Sequence, residues 1–168
     1  MKPGHVTIML ETPEATQAFG RLLAPYLKGG DIISLQGDLG TGKTTLARHI
    51  IQSLGGPDHI PSPTYNLVHI YEAADFDIWH ADLYRLKSTD DINEIGLMDM
   101  VSDPSALCLI EWPDIMMDFF PQDHFKINLR SVRESPELSR ELSLSLPKDR
   151  SALINIIKAH FPTHQSTS

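Results

Sequence analysis

The sequence predicts a single α/β domain: a central, mostly parallel sheet flanked by helices, with a β-hairpin added. Three observations predict it. A short apolar strand, Ile32-Ile33-Ser34-Leu35, runs into a glycine-rich loop that opens a helix. A continuous apolar run, Leu107-Cys108-Leu109-Ile110, suits a strand buried on both faces and ends in the acid Glu111. The chain has 168 residues, enough for one sizeable core.

The elements follow in order. Val6 to Leu10 is a first strand. Thr12-Pro13 is a helix start, and Glu14 to near Lys28 places Ala15, Ala18, Phe19, Leu22, Leu23 and Leu27 on one side. Pro25 falls inside that stretch and kinks or shortens it. After the strand at 32–35 and the loop, a helix runs from Thr45 to Leu54 and stops at Gly55-Gly56-Pro57. Pro61-Ser62-Pro63-Thr64 is extended or turning, since proline biases its neighbour away from helix. Tyr65 to Tyr71 and Phe76 to Leu83 form the hairpin. Asp90 to Val101 is helical and broken near Gly96. Phe125 to Leu129 and Leu138 to Leu146 are two further strands, and Ala152 to His160 a last helix. The domain spans 1–162, and 163–168 reads as a disordered tail.

Composition narrows the class. Hydrophobic residues make up 41% and charged residues 21%, as in ordinary globular proteins. The net charge is −8, and no window is densely basic, which disfavours strong direct binding of nucleic acid. The single cysteine, Cys108, has no internal partner and reads as buried and structural. No apolar stretch is long enough to span a bilayer and no signal segment is visible. No membrane association is expected, and the expected location is the cytoplasm.

The loop Gly37-Asp38-Leu39-Gly40-Thr41-Gly42-Lys43-Thr44 matches the Walker A template G-x-x-x-x-G-K-[ST] at every fixed position. Its chemistry is geometric. The glycines let backbone N–H groups turn inward around phosphate oxygens, and the following helix aims its positive end at them. Lys43 reaches the terminal phosphates and the Thr44 hydroxyl binds Mg²⁺. The expected fold is therefore that of a P-loop NTPase. Glu111, at the end of an apolar strand, has the Walker B position for a second Mg²⁺ ligand.

His80, Asp82 and Tyr84 share one face of an extended segment. His80 reads as a hydrogen-bonded structural histidine. Asp82 either holds metal-bound water or acts as a base. Arg85 pairs with a carboxylate or approaches the γ-phosphate. Thr64 is a candidate switch residue in a proline-stiffened loop. Trp112 is either core packing or a surface anchor. No N-K-x-D segment is present, which disfavours GTP, and no arginine-rich lid encloses a phosphoryl acceptor.

Four blocks in this order resemble the bacterial TsaE (YjeE) family: Gly37 to Thr45, Ser62-Pro63-Thr64-Tyr65, His80-Ala81-Asp82-Leu83-Tyr84-Arg85 and Ile110-Glu111-Trp112-Pro113. The resemblance is strong over residues 12–113. Thr41 departs from the alanine usual there. The resemblance implies an ATPase needed for tRNA N6-threonylcarbamoyladenosine formation, acting on the TsaD–TsaB heterodimer to permit repeated turnover, with ATP and Mg²⁺ as cofactors. By motif match, Gly37 to Thr45 would bind nucleotide. Lys43 and Thr44 would hold phosphate and Mg²⁺, Glu111 would ligate the metal, Asp82 and Thr64 would complete the hydrolytic site, and Trp112 would support it. A contact near Thr12 and a C-terminal arginine, taken as Arg140, would line the nucleotide pocket. A small-molecule phosphotransferase of similar size is the alternative.

Overall fold

The computed structural model describes residues 3–63 and 67–163. Its centre is a seven-stranded sheet in the order β1-β7-β6-β2-β5-β4-β3. The strands are β1 (Gly4–Leu10), β2 (Ile32–Gln36), β3 (Val68–Glu72), β4 (Asp77–Asp82), β5 (Ala106–Glu111), β6 (Phe125–Ser131) and β7 (Arg140–Leu146). The four inner strands β6, β2, β5 and β4 run parallel. β3 pairs antiparallel on one side, and β7 and then β1 on the other. The expected parallel centre is thus present, and both wings are antiparallel.

Residue type explains the division. Every residue of β5 is buried, because helices cover both of its faces. β1 alternates buried and accessible positions along its length, as an outer strand covered on one face does. The hairpin is β3–β4, closed where the Ala73 N–H donates to the Phe76 carbonyl at 3.1 Å.

The helices are α1 (Pro13–Leu23), α2 (Lys43–Ser53), α3 (Thr89–Ile95), α4 (Leu97–Ser102) and α5 (Leu153–His160). The Thr12 hydroxyl caps α1 by accepting the Ala15 N–H at 3.1 Å, and Pro13 occupies the first turn, where its missing N–H costs nothing. α1 ends five residues before Lys28. Pro25 cannot donate to the helical ladder, so the chain tightens into a 3-10 turn over Ala24–Tyr26. Gly96, at φ 77°, separates α3 from α4 as the broken pattern predicts. A 3-10 segment over Pro113–Phe119 was not expected from the sequence.

One apolar cluster lies between the sheet and α1, α2 and α5, with Phe19, Leu23, Leu46, Ile50, Phe125 and Ile127 at its heart. The other face packs Ala81, Met100, Cys108, Ile110 and Met116. Burial pushes the Cys108 thiol up to about 12, so it is inert at neutral pH. Alternation then decides where the polar strand ends point. In β5, Leu107 and Leu109 belong to the α2 side, so Glu111 also faces α2. In β4, Ile78 belongs to the same side, and His80 and Asp82 follow it. Thr163 forms a bridge with Ile8, and the Met9 N–H donates to the Pro162 carbonyl at 2.8 Å. Thr163, expected in the tail, is therefore tied to the sheet, and the rest of that stretch, 164–168, lies outside the described residues.

Candidate functional site

The loop between β2 and α2 is built around positive-φ glycines. Gly37 has φ 146°, and a side chain there would place Cβ 2.5 Å from the Leu129 carbonyl oxygen and 2.7 Å from Thr41 Oγ1. Gly42, at φ 99°, ends the loop directly before α2. Its left-handed backbone turns the first N–H groups of α2 toward the cavity mouth. Thr41 is buried and closes the loop: its hydroxyl donates to the Asp38 carbonyl at 2.9 Å. Its departure from the usual alanine thus adds an internal bond.

Lys43 curls back over the loop. Its ammonium donates to the Gly37 carbonyl at 2.7 Å and to the Asp38 carbonyl at 2.9 Å. It also lies 4.0 Å from the centroid of the Trp112 ring. Burial pushes its pKa below the ordinary lysine range, while Glu111, Asp82 and Asp38 pull in the opposite direction. Trp112 has φ 53°, an unusual conformation for so bulky a residue. That turn takes the chain off β5 and lays the indole between Lys43 and Tyr84, whose ring centroid is 4.9 Å away. Trp112 is therefore a wall of the site, and not simply core packing or a surface anchor.

Glu111 is the buried centre of a polar chain. The Thr44 hydroxyl donates to Glu111 Oε1 at 2.6 Å. His80 Nε2 donates to Glu111 Oε2 at 2.6 Å. Asp82 is the cross-strand neighbour of Glu111 and is also buried. Its Oδ1 accepts the Tyr84 N–H at 3.0 Å. Together Lys43, Thr44, Thr45, Asp82, Glu111 and Trp112, with Leu39, Gly40 and Gly42, line a cavity of about 280 Å³. An ammonium, a helix N-terminus, a hydroxyl and two carboxylates converge there. This combination suits a polyanion together with a hard cation.

Four expected site residues remain. Thr64 is outside the described residues. Thr12 is engaged as the cap of α1, and Arg85 is exposed; neither lines the cavity. Arg140 reaches the loop from behind. Its Nε donates to the Thr41 carbonyl at 3.0 Å and its Nη2 to the Gly40 carbonyl at 3.3 Å. Its Nη1 donates to Pro136 and Ser139 carbonyls at 2.7 and 2.9 Å. It braces the loop's backbone and does not line the cavity. We expect Arg140→Ala to lower the unfolding free energy by about 1 kcal/mol in urea titration, with Arg140→Lys restoring little, because only a guanidinium spans four carbonyls. An unchanged midpoint in both variants would show that the brace contributes nothing.

The family described as threonylcarbamoyl adenosine biosynthesis protein TsaE matches residues 10–142. This chain belongs to the TsaE family. The match takes in both Arg140 and the whole cavity. Among curated relatives, the Rickettsia felis tRNA threonylcarbamoyladenosine biosynthesis protein TsaE is 37% identical over 153 residues, 90% of this chain and 86% of the relative. The Rickettsia bellii TsaE is 40% identical over 77% of this chain and 90% of its own length. The Bacillus subtilis TsaE is 30% identical over 82% of this chain and 84% of its own. The crystal structure of Bacillus subtilis YdiB superposes with a TM-score of 0.72 at 24% identity, covering 95% of this chain and 98% of that one, which shows a shared fold. TsaE membership places the chain in tRNA threonylcarbamoyladenosine biosynthesis. Among the described residues no helix is long and apolar enough to cross a membrane.

Proposed function

We propose that the chain is a Mg²⁺-dependent ATPase of the cytoplasm that acts on the TsaD–TsaB pair and permits repeated cycles of tRNA threonylcarbamoylation. One observation carries the ATPase reading: the Thr44 hydroxyl and the Glu111 carboxylate meet at 2.6 Å beside a glycine loop whose lysine is buried among carboxylates. These two hard oxygen donors fit Mg²⁺, since the second Glu111 oxygen is already anchored by His80. Thr44 and Glu111 would hold the ion, which when bound supplies charge neutralisation on phosphate oxygens.

The chain's own groups then divide the work. Loop N–H groups and the start of α2 bind phosphate oxygens. Lys43 exchanges its bonds to the Gly37 and Asp38 carbonyls for β- and γ-phosphate oxygens, while Trp112 limits where its ammonium can go. Asp82, next to Glu111 in register, orients the attacking water or takes its proton. Thr64 is proposed to report on the γ-phosphate. The absence of a guanine-reading segment supports ATP over GTP. The net charge of −8 supports action through protein partners and not through a tRNA-binding surface of its own.

The test is phosphate release by the purified chain, alone and with TsaD–TsaB, with the product identified. Slow release alone and faster release with the pair are expected. The gain should fall well below the ~10³–10⁵ that a supplied arginine finger can give. It should come with repeated cycles of tRNA modification. A phosphorylated small molecule as product would favour a phosphotransferase. Fast hydrolysis by the isolated chain, with no effect of the pair and none on repeated modification, would sink the proposal.

A further inference from the structure

We infer that His80 is a positioning residue: it holds one oxygen of Glu111 so that the other faces Thr44, and thereby sets how tightly a divalent cation is bound between them. The inference rests on the proposed Mg²⁺–nucleotide site and adds a residue to it.

His80 is 0% exposed and Glu111 1%, so neither group has water as an alternative partner. An isolated carboxylate at that depth would be strongly disfavoured in its charged form. Two donated hydrogen bonds, from Thr44 and His80, occupy its two oxygens separately. A carboxylate only accepts, so the His80 proton sits on Nε2. His80 Nδ1 is buried and, among the described residues, finds no hydrogen-bond partner. Among the described residues the ring therefore has a single polar anchor, and that anchor is Glu111.

The setting argues against mere space filling. His80 sits in β4 between Ile78 and Asp82, on the face that also carries Glu111, and it pairs in register with Leu109. An apolar residue would fill the volume without burying an orphaned nitrogen. Asp82, although beside Glu111, turns Oδ1 to the Tyr84 N–H. Nor does Thr44 determine the carboxylate alone, because one bond leaves it free to rotate about that contact. A second bond from a rigid strand removes that freedom, as outer partners do for ligands in metal sites.

The experiment measures ATP binding by the full chain without metal and across a Mg²⁺ titration. It compares wild type, His80→Phe and His80→Gln, with thermal melts alongside. His80→Phe should keep its metal-free ATP affinity and need roughly tenfold more Mg²⁺ for half-effect. His80→Gln, whose amide N–H can replace Nε2–H, should respond close to wild type. A folded His80→Phe with the wild-type Mg²⁺ response overturns the inference. If His80→Phe does not fold, His80→Asn replaces it, since its shorter amide stops short of Glu111; the same two results then support or overturn. Wild-type ATP binding that ignores Mg²⁺ overturns this inference together with the proposed function, so the two failures are read from different proteins.

Discussion

Replacing Lys43 with alanine should lower ATP turnover on the order of 100-fold, equivalent to ~3 kcal/mol of lost charge stabilisation. The ammonium is held by two carbonyls of its own loop and by the face of Trp112, so its position is largely set before any phosphate arrives. A charge already placed beside where the phosphates would sit stabilises them more than one recruited from solvent. Burial opposes the charge, but three carboxylates oppose that burial. Removing the lysine would leave Glu111, Asp82 and Asp38 with less cationic compensation and would disfavour an incoming polyanion further. Calorimetric ATP binding and phosphate release, with a thermal melt to verify folding, check this. Wild-type binding and turnover in the variant would overturn the assignment of the loop.

Glu111→Ala should reduce Mg²⁺-dependent hydrolysis on the order of 100-fold while metal-free ATP binding falls much less. In the proposed site the carboxylate would hold the cation and would not touch the phosphates. Removing it also strands the Thr44 hydroxyl and the buried His80 ring, so a loss of stability of about 1–3 kcal/mol is expected in urea unfolding. Glu111→Gln separates the two effects. It keeps the volume and part of the hydrogen bonding but removes the charge, so it should recover stability more than hydrolysis. Equal loss of metal-free binding and hydrolysis, in a variant that no longer melts cooperatively, would assign Glu111 a structural role instead.

Much of this was legible in the residues because it is local. A glycine loop, the strand before it and the helix after it are contiguous, so periodicity and turn chemistry expose them. An apolar strand ending in an acid is likewise contiguous, and Glu111 lies at the cavity. What could not be read is what depends on register between distant strands. His80 reads as a hydrogen-bonded structural histidine, and it is one, but nothing near it in sequence names Glu111 as its partner; only the β4–β5 pairing brings them together. Alternation placed Asp82 beside His80, but not that both face α2. Arg140 was expected in the pocket and instead braces the loop from behind, a contact that spans about 100 residues. Thr41 looked like a variable loop position, yet its methyl-bearing hydroxyl is buried against the loop's own backbone. The left-handed turn at Trp112 had no signal either, since glycine or asparagine is the usual mark of such a conformation.

The place of β1 in the sheet has a consequence for how the molecule is made. β1 is made before the other described strands, yet among these its partner is β7, with His5 and Ser145 in contact across 140 residues of chain. β2 and its parallel neighbours can pair before that partner exists. Until β7 is made, β1 is thus an unpaired β-edge with an apolar face. The polar side chains of His5 and Thr7, on either side of Val6, limit that hazard. β1 therefore cannot pair into the sheet before β7 is made, and β7 is also the strand that carries Arg140 to the loop.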